Sequence, residues 1–206
     1  MQPKTRKTLT VSLLSIPLSA AAALVPVLAD LAVIFPDRKG WMQFLITIPS
    51  LFLMLSSLVT NKLLQHVSLR GVAGGSIALI LFSGVSPFWI QSFPYLLLTR
   101  ALMGIGLGLL NTTVASLPAL YFENGKSRDV ATGIQAAFIS AGGILFSFFS
   151  GKVATIQWNY VFLVQIINVL PLLAVLFLMP KTEEKSTAKE PTKVFVKEAV
   201  PVTLLS

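Results

Sequence analysis

Long apolar stretches alternate with short polar ones along the whole chain. Six stretches carry no charged residue between their end points: Lys7–Asp30, Lys39–Lys62, Arg70–Arg100, Arg100–Glu123, Asp129–Lys152 and Lys152–Lys181. A run of about 18 or more mainly apolar residues is long enough to cross a bilayer as a helix. The pattern therefore predicts an all-α, polytopic membrane protein with six transmembrane helices.

Turn residues set the expected boundaries, because Gly and Pro interrupt regular structure more strongly than other residues. We expect a short N-terminal segment (1–8), a six-helix bundle (9–180) and a charged tail (181–206). The expected spans are 9–34, 41–61, 71–86, 93–120, 130–151 and 158–179. A cleavable signal peptide is the competing interpretation of the first span. We favour a membrane span, because the apolar character continues past Ala20–Ala23 to Ala29.

Composition supports the membrane assignment. Of the 206 residues, 54% are hydrophobic and only 12% are charged, whereas soluble domains carry about 25% charged residues. So few polar side chains cannot cover a soluble globule, and disorder requires low hydrophobicity. The formal net charge of +8 then needs an explanation.

The distribution of Lys and Arg explains most of that charge. Twelve lie in the N-terminal segment, alternate loops and the tail: Lys4, Arg6, Lys7, Lys62, Arg70, Lys126, Arg128, Lys181, Lys185, Lys189, Lys193 and Lys197. The remaining loops hold three, namely Arg38, Lys39 and Lys152. Positively charged loops stay in the cytoplasm, so we expect both termini there, in a bacterial inner membrane. The basic residues follow topology, which argues against nucleic-acid binding.

The residue inventory argues against an enzyme. The chain has no Cys and one His, His66, which falls in an expected cytoplasmic loop. A serine protease would need a Ser–His pair at membrane depth, and no paired intramembrane carboxylates are available for a metal or a proton relay. We therefore expect no catalytic residues, no metal and no cofactor.

Small residues recur at four-residue spacing within the spans. Gly104 and Gly108 share one face of the fourth span, and Gly143, Ser147 and Gly151 share one face of the fifth. Lipid provides no hydrophobic reason for helices to associate, so close packing between small residues carries much of the association. We expect these positions to be helix contacts. Gln165 and Asn168 are expected to form hydrogen bonds between helices.

Arg100 is the one basic residue that topology does not explain. It lies inside the fourth span, where insertion of a charge costs at least about 2.5–3.5 kcal/mol. We expect it to face the protein interior or a cavity and to have a partner, with Asp30 as the candidate. Snorkelling to the headgroups is the alternative for Arg100, and a solvated loop carboxylate is the alternative for Asp30. Asn111 and Gln135 could line a path nearby.

The segment Arg100-Ala-Leu-Met-Gly104-Ile-Gly106-Leu-Gly108 resembles the fourth-helix motif of the major facilitator superfamily. Trp158-Asn159-Tyr160-Val161-Phe162 is similar to that family's entry to the sixth helix, with Asn159 replacing an Arg. The gating loop between the second and third helices is degenerate: Asn61, Leu63, Gln65 and Arg70 lie at its motif positions, Gln65 replaces the acidic residue, and only Leu63 and Arg70 match. The fifth span keeps Gly143 and Gly151 of an antiporter pattern and departs from it at Ser147, Phe148 and Lys152.

The resemblance implies the N-terminal six-helix half of a secondary transporter. In that family the fourth-helix Arg is implicated in proton coupling or substrate binding, which would fall to Arg100. The implied partners are the lipid bilayer, a small-molecule substrate, a coupling proton, and either a second six-helix half or a second copy. The tail from Lys181 resembles the start of a central loop. A non-transporting remnant, or an interaction partner of another membrane protein, is the alternative.

Overall fold

A computed structural model describes residues 4–123 and 125–179. These residues form helices throughout, with no β-strand, and six helices are long and apolar enough to cross a membrane. They are α1 (Thr5–Ile34), α2 (Pro36–His66), α3 (Leu69–Phe88), α4 (Phe93–Tyr121), α5 (Gly125–Ala154) and α6 (Trp158–Leu178). The all-α, six-span architecture predicted from the sequence is confirmed.

The helices are longer than the expected spans at several ends. Helical structure begins at Lys4, and α2 continues to His66 through the polar residues that we expected to form a loop. Only Val67 and Ser68 separate α2 from α3, and the Ser68 hydroxyl caps α3 by accepting a hydrogen bond from the Gly71 amide at 3.2 Å. The length of an apolar run indicates only the part of a helix that lies inside the bilayer. Helical turns that extend into water are polar, so the sequence pattern does not predict them. The tail beyond residue 179 lies outside the described residues.

Two helices change their winding part-way. In α1, an α-helical segment (Lys4–Ser15) is followed by a 3-10 segment (Ile16–Val27) and a short α-helical segment (Leu28–Ile34). In α6, a 3-10 segment (Trp158–Asn168) precedes an α-helical one (Val169–Leu178). Runs of 3-10 helix longer than 3–4 residues are uncommon. The two 3-10 segments pack against each other.

The remaining helices are more regular. A 3-10 turn (Pro36–Trp41) leads into the α-helix Met42–His66 of α2. The third helix combines Leu69–Val85 with a terminal 3-10 turn (Ser86–Phe88). Both α4 and α5 are α-helical over their full lengths. We call the end of the bundle that holds Arg6, Arg70 and Tyr121 the terminal end, and the opposite end the loop end.

The six helices pack as two equivalent triplets. In one set of contacts α4 packs along α2 and α3, and in the equivalent set α1 packs along α5 and α6. The two triplets meet where α3 contacts α6 and where α1 contacts α4. Replacing α1, α2 and α3 by α4, α5 and α6 turns one set of contacts into the other, so the chain contains two related three-helix units, α1–α3 and α4–α6, whose first helices are exchanged between the triplets. The buried apolar residues form two clusters, and each cluster has members from both units.

Glycines allow the closest of these approaches. A Cβ at Gly104 would collide with the Pro49 carbonyl of α2, and one at Gly108 with Ser56 and the Leu53 carbonyl. On α5, the residue that approaches α1 most closely is Gly142, whose Cβ would collide with Ser19. The neighbouring Gly143 and Gly151 face α1 at ordinary contact distance: their Cβ atoms would lie 3.8 Å from Ser19 and 3.9 Å from Pro26.

Candidate transport site

Arg100 is buried in the bundle near the loop end, with 2% of its surface exposed. Its Nη1 donates a weak hydrogen bond to Met103 Sδ at 3.5 Å, and its guanidinium carbon lies 5.9 Å from the centre of the Phe162 ring of α6. Its Nε has no partner, and no carboxylate of the described residues pairs with it. A ring face and a sulfur compensate only part of a buried charge, since a cation–π contact contributes about 0.5–2 kcal/mol.

Aromatic residues surround this region at the loop end. Phe35 packs edge-on against Phe93 and Trp158, with ring centres 5.7 and 6.2 Å apart. Trp158 in turn packs on Phe162 at 6.1 Å. Trp and Tyr concentrate at membrane interfaces because their rings are amphipathic. Arg100 lies seven residues beyond Phe93 on α4, about two helical turns, and its 2% exposure means that protein encloses it.

The structure does not pair Arg100 with Asp30. Asp30 lies on α1 near the loop end, its side chain is exposed, and it forms no ion pair within the described residues. Of the two interpretations left open for Asp30, the exposed carboxylate agrees with this bundle, and the described residues contain no Arg100–Asp30 pair. Sequence position placed both residues near the same membrane face, but it does not determine the direction in which either side chain points.

Asn111 and Gln135 occupy two different environments. Asn111 is exposed and lies eleven residues after Arg100, so it shares a face of α4 with Arg100 about 16 Å further along the axis. Gln135 is buried on α5, 9% exposed, and its side chain forms no hydrogen bond with the described residues. The bundle does not gather Arg100, Asn111 and Gln135 into one cluster.

A buried polar network links α6 to α1. Gln165 Nε2 donates a hydrogen bond to the Ala20 carbonyl at 2.8 Å, and Asn168 Nδ2 donates to Gln165 Oε1 at 2.8 Å. A Cβ at Gly84 of α3 would collide with the Gln165 side chain, so glycine is needed where this side chain crosses. Asn168 Oδ1 is buried without a partner. Sequence reasoning expected interhelical bonds from both residues. Gln165 forms one, to a backbone carbonyl of α1 that carries no sequence signal, whereas the bond of Asn168 stays within α6.

A comparison with protein families decides the class of this bundle. The model of the Major Facilitator Superfamily matches residues 8–206, nearly the whole chain. The chain belongs to the Major Facilitator Superfamily. The triplet contacts agree with this assignment, because each six-helix half of a facilitator contains two related three-helix repeats.

Among curated proteins, the chain is similar to two transporters from Mycobacterium tuberculosis. Both are named uncharacterized MFS-type transporter EfpA, one from strain CDC 1551 / Oshkosh and one from strain ATCC 25618 / H37Rv. Each is 28% identical over 109 residues, which cover 53% of this chain and 20% of the relative. The match thus spans about a fifth of the length of these facilitators.

The degenerate facilitator loop forms the terminal end of α2 and the start of α3. Asn61 and Gln65 are exposed on the last turns of α2, and Leu63 is half-buried. Arg70 reaches across to α6, where its Nη2 donates to the Leu176 carbonyl at 2.6 Å. In this facilitator Arg70 therefore contacts the C-terminus of a helix, with no carboxylate partner among the described residues.

Two further basic residues contact helix ends in the same region. Arg6 Nη2 donates to the Phe177 carbonyl of α6 at 2.6 Å, and Lys7 Nζ donates to the Tyr121 carbonyl of α4 at 2.9 Å. The last carbonyls of a helix lack partners within it and carry its negative dipole end. Arg6 and Lys7 supply hydrogen-bond donors to these carbonyls and positive charge to the negative dipole end. No group of three or more His, Cys, Asp or Glu that could hold a metal occurs in the described part of the facilitator chain.

Proposed function

We propose that this bundle transports a small solute in partnership with a second six-helix bundle. Transport then follows the rocking of one bundle against the other around a site near the bilayer midplane, as facilitators with two six-helix halves do. The second bundle is either another segment or a second copy of this chain. The observation that carries the proposal is an exposed polar stripe on α2, in a chain that belongs to a transporter family.

The stripe follows the helical repeat along the whole of α2. Its polar members are exposed or half-exposed: Gln43, Thr47, Ser50, Ser57 and Asn61. They are spaced three or four residues apart except between Ser50 and Ser57, where the exposed apolar Met54 lies on the same face. Two other faces of the helix differ from it. Leu45, Pro49 and Ser56 are buried against the rest of the bundle, and Leu51, Leu55 and Leu58 form an exposed apolar face. A helix that met lipid over its whole exposed surface would not carry this stripe, since polar side chains at membrane depth face protein or water.

The equivalent helix of the other triplet, α5, carries small residues on its exposed surface. Gly133, Ala137 and Ser140 are exposed, and a Cβ at Gly133 would touch nothing. Small residues permit close approach of a partner helix. The stripe on α2 and the small residues on α5 each support docking of the second bundle on the exposed surface of that helix.

For Arg100 we propose a role in substrate binding or proton coupling. A buried guanidinium without a carboxylate lacks a counter-charge, and an anionic substrate group or a carboxylate of the second bundle could supply one when the cavity closes. Asn111, Gln135 and Asp30 are the polar groups of this chain available along the path. The exposed last turns of α2, which carry Asn61 and Gln65, would form the gate at the terminal end together with Leu63 and Arg70.

The orientation that we propose places the terminal end in the cytoplasm of a bacterium. Arg6, Lys7, Lys62, Arg70, Lys126 and Arg128 belong to this end. The loop end holds Arg38, Lys39 and Lys152. The excess of basic residues supports this orientation through the positive-inside rule.

Substitution of Arg100 tests the function. In proteoliposomes that contain the transport-competent assembly, with flux measured for a panel of radiolabelled sugars and cationic dyes, we expect Arg100→Leu to abolish uptake and Arg100→Lys to retain part of it. The control is Leu98→Ala, an exposed position on the same helix. Flux of an accepted solute that is equal in Arg100→Leu and in the unsubstituted protein would remove Arg100 from the mechanism. Absence of flux for every solute, with or without a second copy or segment, would contradict the transport function itself.

A further inference from the structure

We infer that the terminal end of the groove between α3 and α6 binds the headgroup of an anionic phospholipid through Arg6 and Arg70. The inference concerns a surface remote from Arg100. It relies on the orientation proposed above only for the choice of membrane leaflet.

The two guanidinium groups converge on one point. Arg6 Nη2 and Arg70 Nη2 each donate at 2.6 Å to carbonyls of consecutive residues, Phe177 and Leu176. Consecutive carbonyls at a helix end are close neighbours, so two cations from different helices, α1 and α3, meet at the end of a third. Two guanidinium groups at one helix end repel each other unless an anion lies between them or beside them.

Neither cation has a full counter-charge within the described residues. No carboxylate pairs with Arg6 or Arg70, and Arg6 Nε is buried without a partner. The C-terminal dipole of α6 supplies the equivalent of roughly half a negative charge, so within residues 4–123 and 125–179 most of the charge of the pair is uncompensated. A guanidinium offers five N–H donors, so donors remain for a phosphate after each carbonyl is satisfied.

The surface next to this pair suits an acyl chain. Between α3 and α6 lies an apolar groove with a cavity of about 450 Å³, which begins at Ala78 and Leu172 near mid-helix and continues to Ser86 and Trp89 at the loop end. Ala78 is eight residues beyond Arg70, which corresponds to about 12 Å along the helix. An acyl chain in one leaflet extends over about half of the ~30 Å hydrocarbon core. A lipid whose phosphate contacts Arg6 and Arg70 could therefore extend a chain along α3 and α6 as far as the near end of this cavity, at Ala78 and Leu172.

Charge selects the class of lipid. Basic pockets between transmembrane helices on the cytoplasmic side bind anionic headgroups, and the cytoplasmic leaflet is rich in anionic lipids. A zwitterionic headgroup would bring its own cation towards Arg6 and Arg70 and gain less. The chemistry of the site thus corresponds to a phosphodiester with net negative charge, such as phosphatidylglycerol.

A tryptophan reporter beside the site allows a direct test. Phe177 is 72% exposed on α6, so Phe177→Trp places an indole at the groove with little disturbance of packing. The reporter protein is reconstituted in phosphatidylcholine vesicles that contain brominated phosphatidylglycerol or, in a second arm, brominated phosphatidylcholine. Quenching of the added indole is obtained by subtracting the signal of the protein with Phe177. We expect stronger quenching by phosphatidylglycerol.

Variants identify the cause of that preference. With each Arg near the surface contributing about a five-fold factor, we expect Arg6→Gln/Arg70→Gln to lower the preference by about 25-fold or to abolish it. Arg6→Lys/Arg70→Lys should retain a large part, because the charge remains. The matched control is Arg128→Gln, which removes an Arg that also donates to a helix-end carbonyl at the terminal end, Phe122 at 3.4 Å. Its preference should equal that of the reporter protein.

The outcomes that overturn the inference are distinct. An equal preference in Arg6→Gln/Arg70→Gln and in the reporter protein would remove these residues from lipid recognition. If inorganic phosphate in the buffer displaced the lipid as effectively as unlabelled phosphatidylglycerol, the site would bind soluble anions and not lipid. If Arg6→Gln/Arg70→Gln failed to fold, as judged by circular dichroism and size-exclusion chromatography, single variants would replace it, and loss of preference in neither would equally overturn the inference. None of these results depends on solute flux.

Discussion

Individual glycines determine how closely the helices of this bundle approach. Gly108→Ala introduces a Cβ that collides with Ser56 and the Leu53 carbonyl of α2, and the backbone atom among these cannot rotate away. Overpacking of this kind costs about 1–3 kcal/mol. We expect a lower midpoint of thermal unfolding in detergent for Gly108→Ala. Gly133→Ala, where a Cβ touches nothing, is the control and should leave the midpoint unchanged or raise it. Equal midpoints would mean that α2 and α4 are further apart than described.

The Gln165 network makes a second prediction at the scale of one side chain. Gln165→Leu removes the hydrogen bond to the Ala20 carbonyl and leaves Asn168 without its acceptor. Hydrogen bonds between membrane helices contribute about 0.6 kcal/mol on average and up to about 1.7 kcal/mol. We expect the free energy of unfolding to fall by an amount in this range or somewhat above it, because two bonds are lost. Gln43→Leu, at an exposed position of α2, should not lower it, and a fall of the same size there would contradict the assignment.

Arg100 shows what the sequence can and cannot predict about a site residue. Its charge stands alone in an apolar run, and burial followed from that fact. The side chains that contact Arg100 could not be predicted, because Phe162 and Met103 look like ordinary apolar core residues in the sequence. Asp30 was chosen as the partner for its charge, and the structure leaves it exposed. Side-chain direction depends on helix rotation within the bundle, which a single sequence does not specify.

At the scale of the element, α2 divides into three faces that meet different surroundings. The polar stripe can be tested by reactivity, because the chain contains no Cys. Ser50→Cys lies on the stripe, and Leu51→Cys lies at the same depth on the exposed apolar face. Thiols react as thiolates, and apolar surroundings suppress the thiolate, so we expect a water-soluble maleimide to modify Leu51→Cys at least about ten-fold more slowly.

The same variants report on the partner bundle. If a second copy docks on the stripe, oxidation should crosslink Ser50→Cys to itself, and Leu51→Cys should crosslink less. Equal maleimide reactivity of the two thiols would contradict a polar contact surface on α2.

The apolar runs predicted the number of helices, but they did not predict where each helix ends or where its winding changes. The six runs correspond to the six spans, since an uncharged stretch of this length has few other stable forms in lipid. The extension of α2 to His66 was missed because its last turns are polar. The long 3-10 segment of α1 carries Pro17 near its start and Pro26 near its end. Proline removes a backbone donor and so marks a place where winding can change, but it does not indicate how far the change extends.

At the scale of the whole molecule, the alternating direction of the six helices brings three helix C-termini and several basic side chains to one end. Helices α1, α3 and α5 begin there, and α2, α4 and α6 end there. The same end therefore presents the three C-termini that need donors, and Arg6, Lys7 and Arg70 supply them to α4 and α6. The basic residues on which the proposed orientation rests also stabilise helix ends. Loop counting along the sequence predicts the first role, whereas the second depends on which helix ends lie beside these side chains in the assembled bundle.

Orientation is the prediction that belongs to the whole molecule. Gly40→Cys places one thiol at the loop end, and Gln65→Cys places one at the terminal end; both positions are exposed. In intact bacterial cells, we expect a membrane-impermeant maleimide to label Gly40→Cys and to label Gln65→Cys only after the inner membrane is permeabilised. The physical reason is the excess of Lys and Arg at the terminal end, which is retained in the cytoplasm. The unsubstituted chain, which has no thiol, is the control. Labelling of Gln65→Cys in intact cells, with Gly40→Cys protected, would invert the topology and would place the Arg6–Arg70 pair in the outer leaflet.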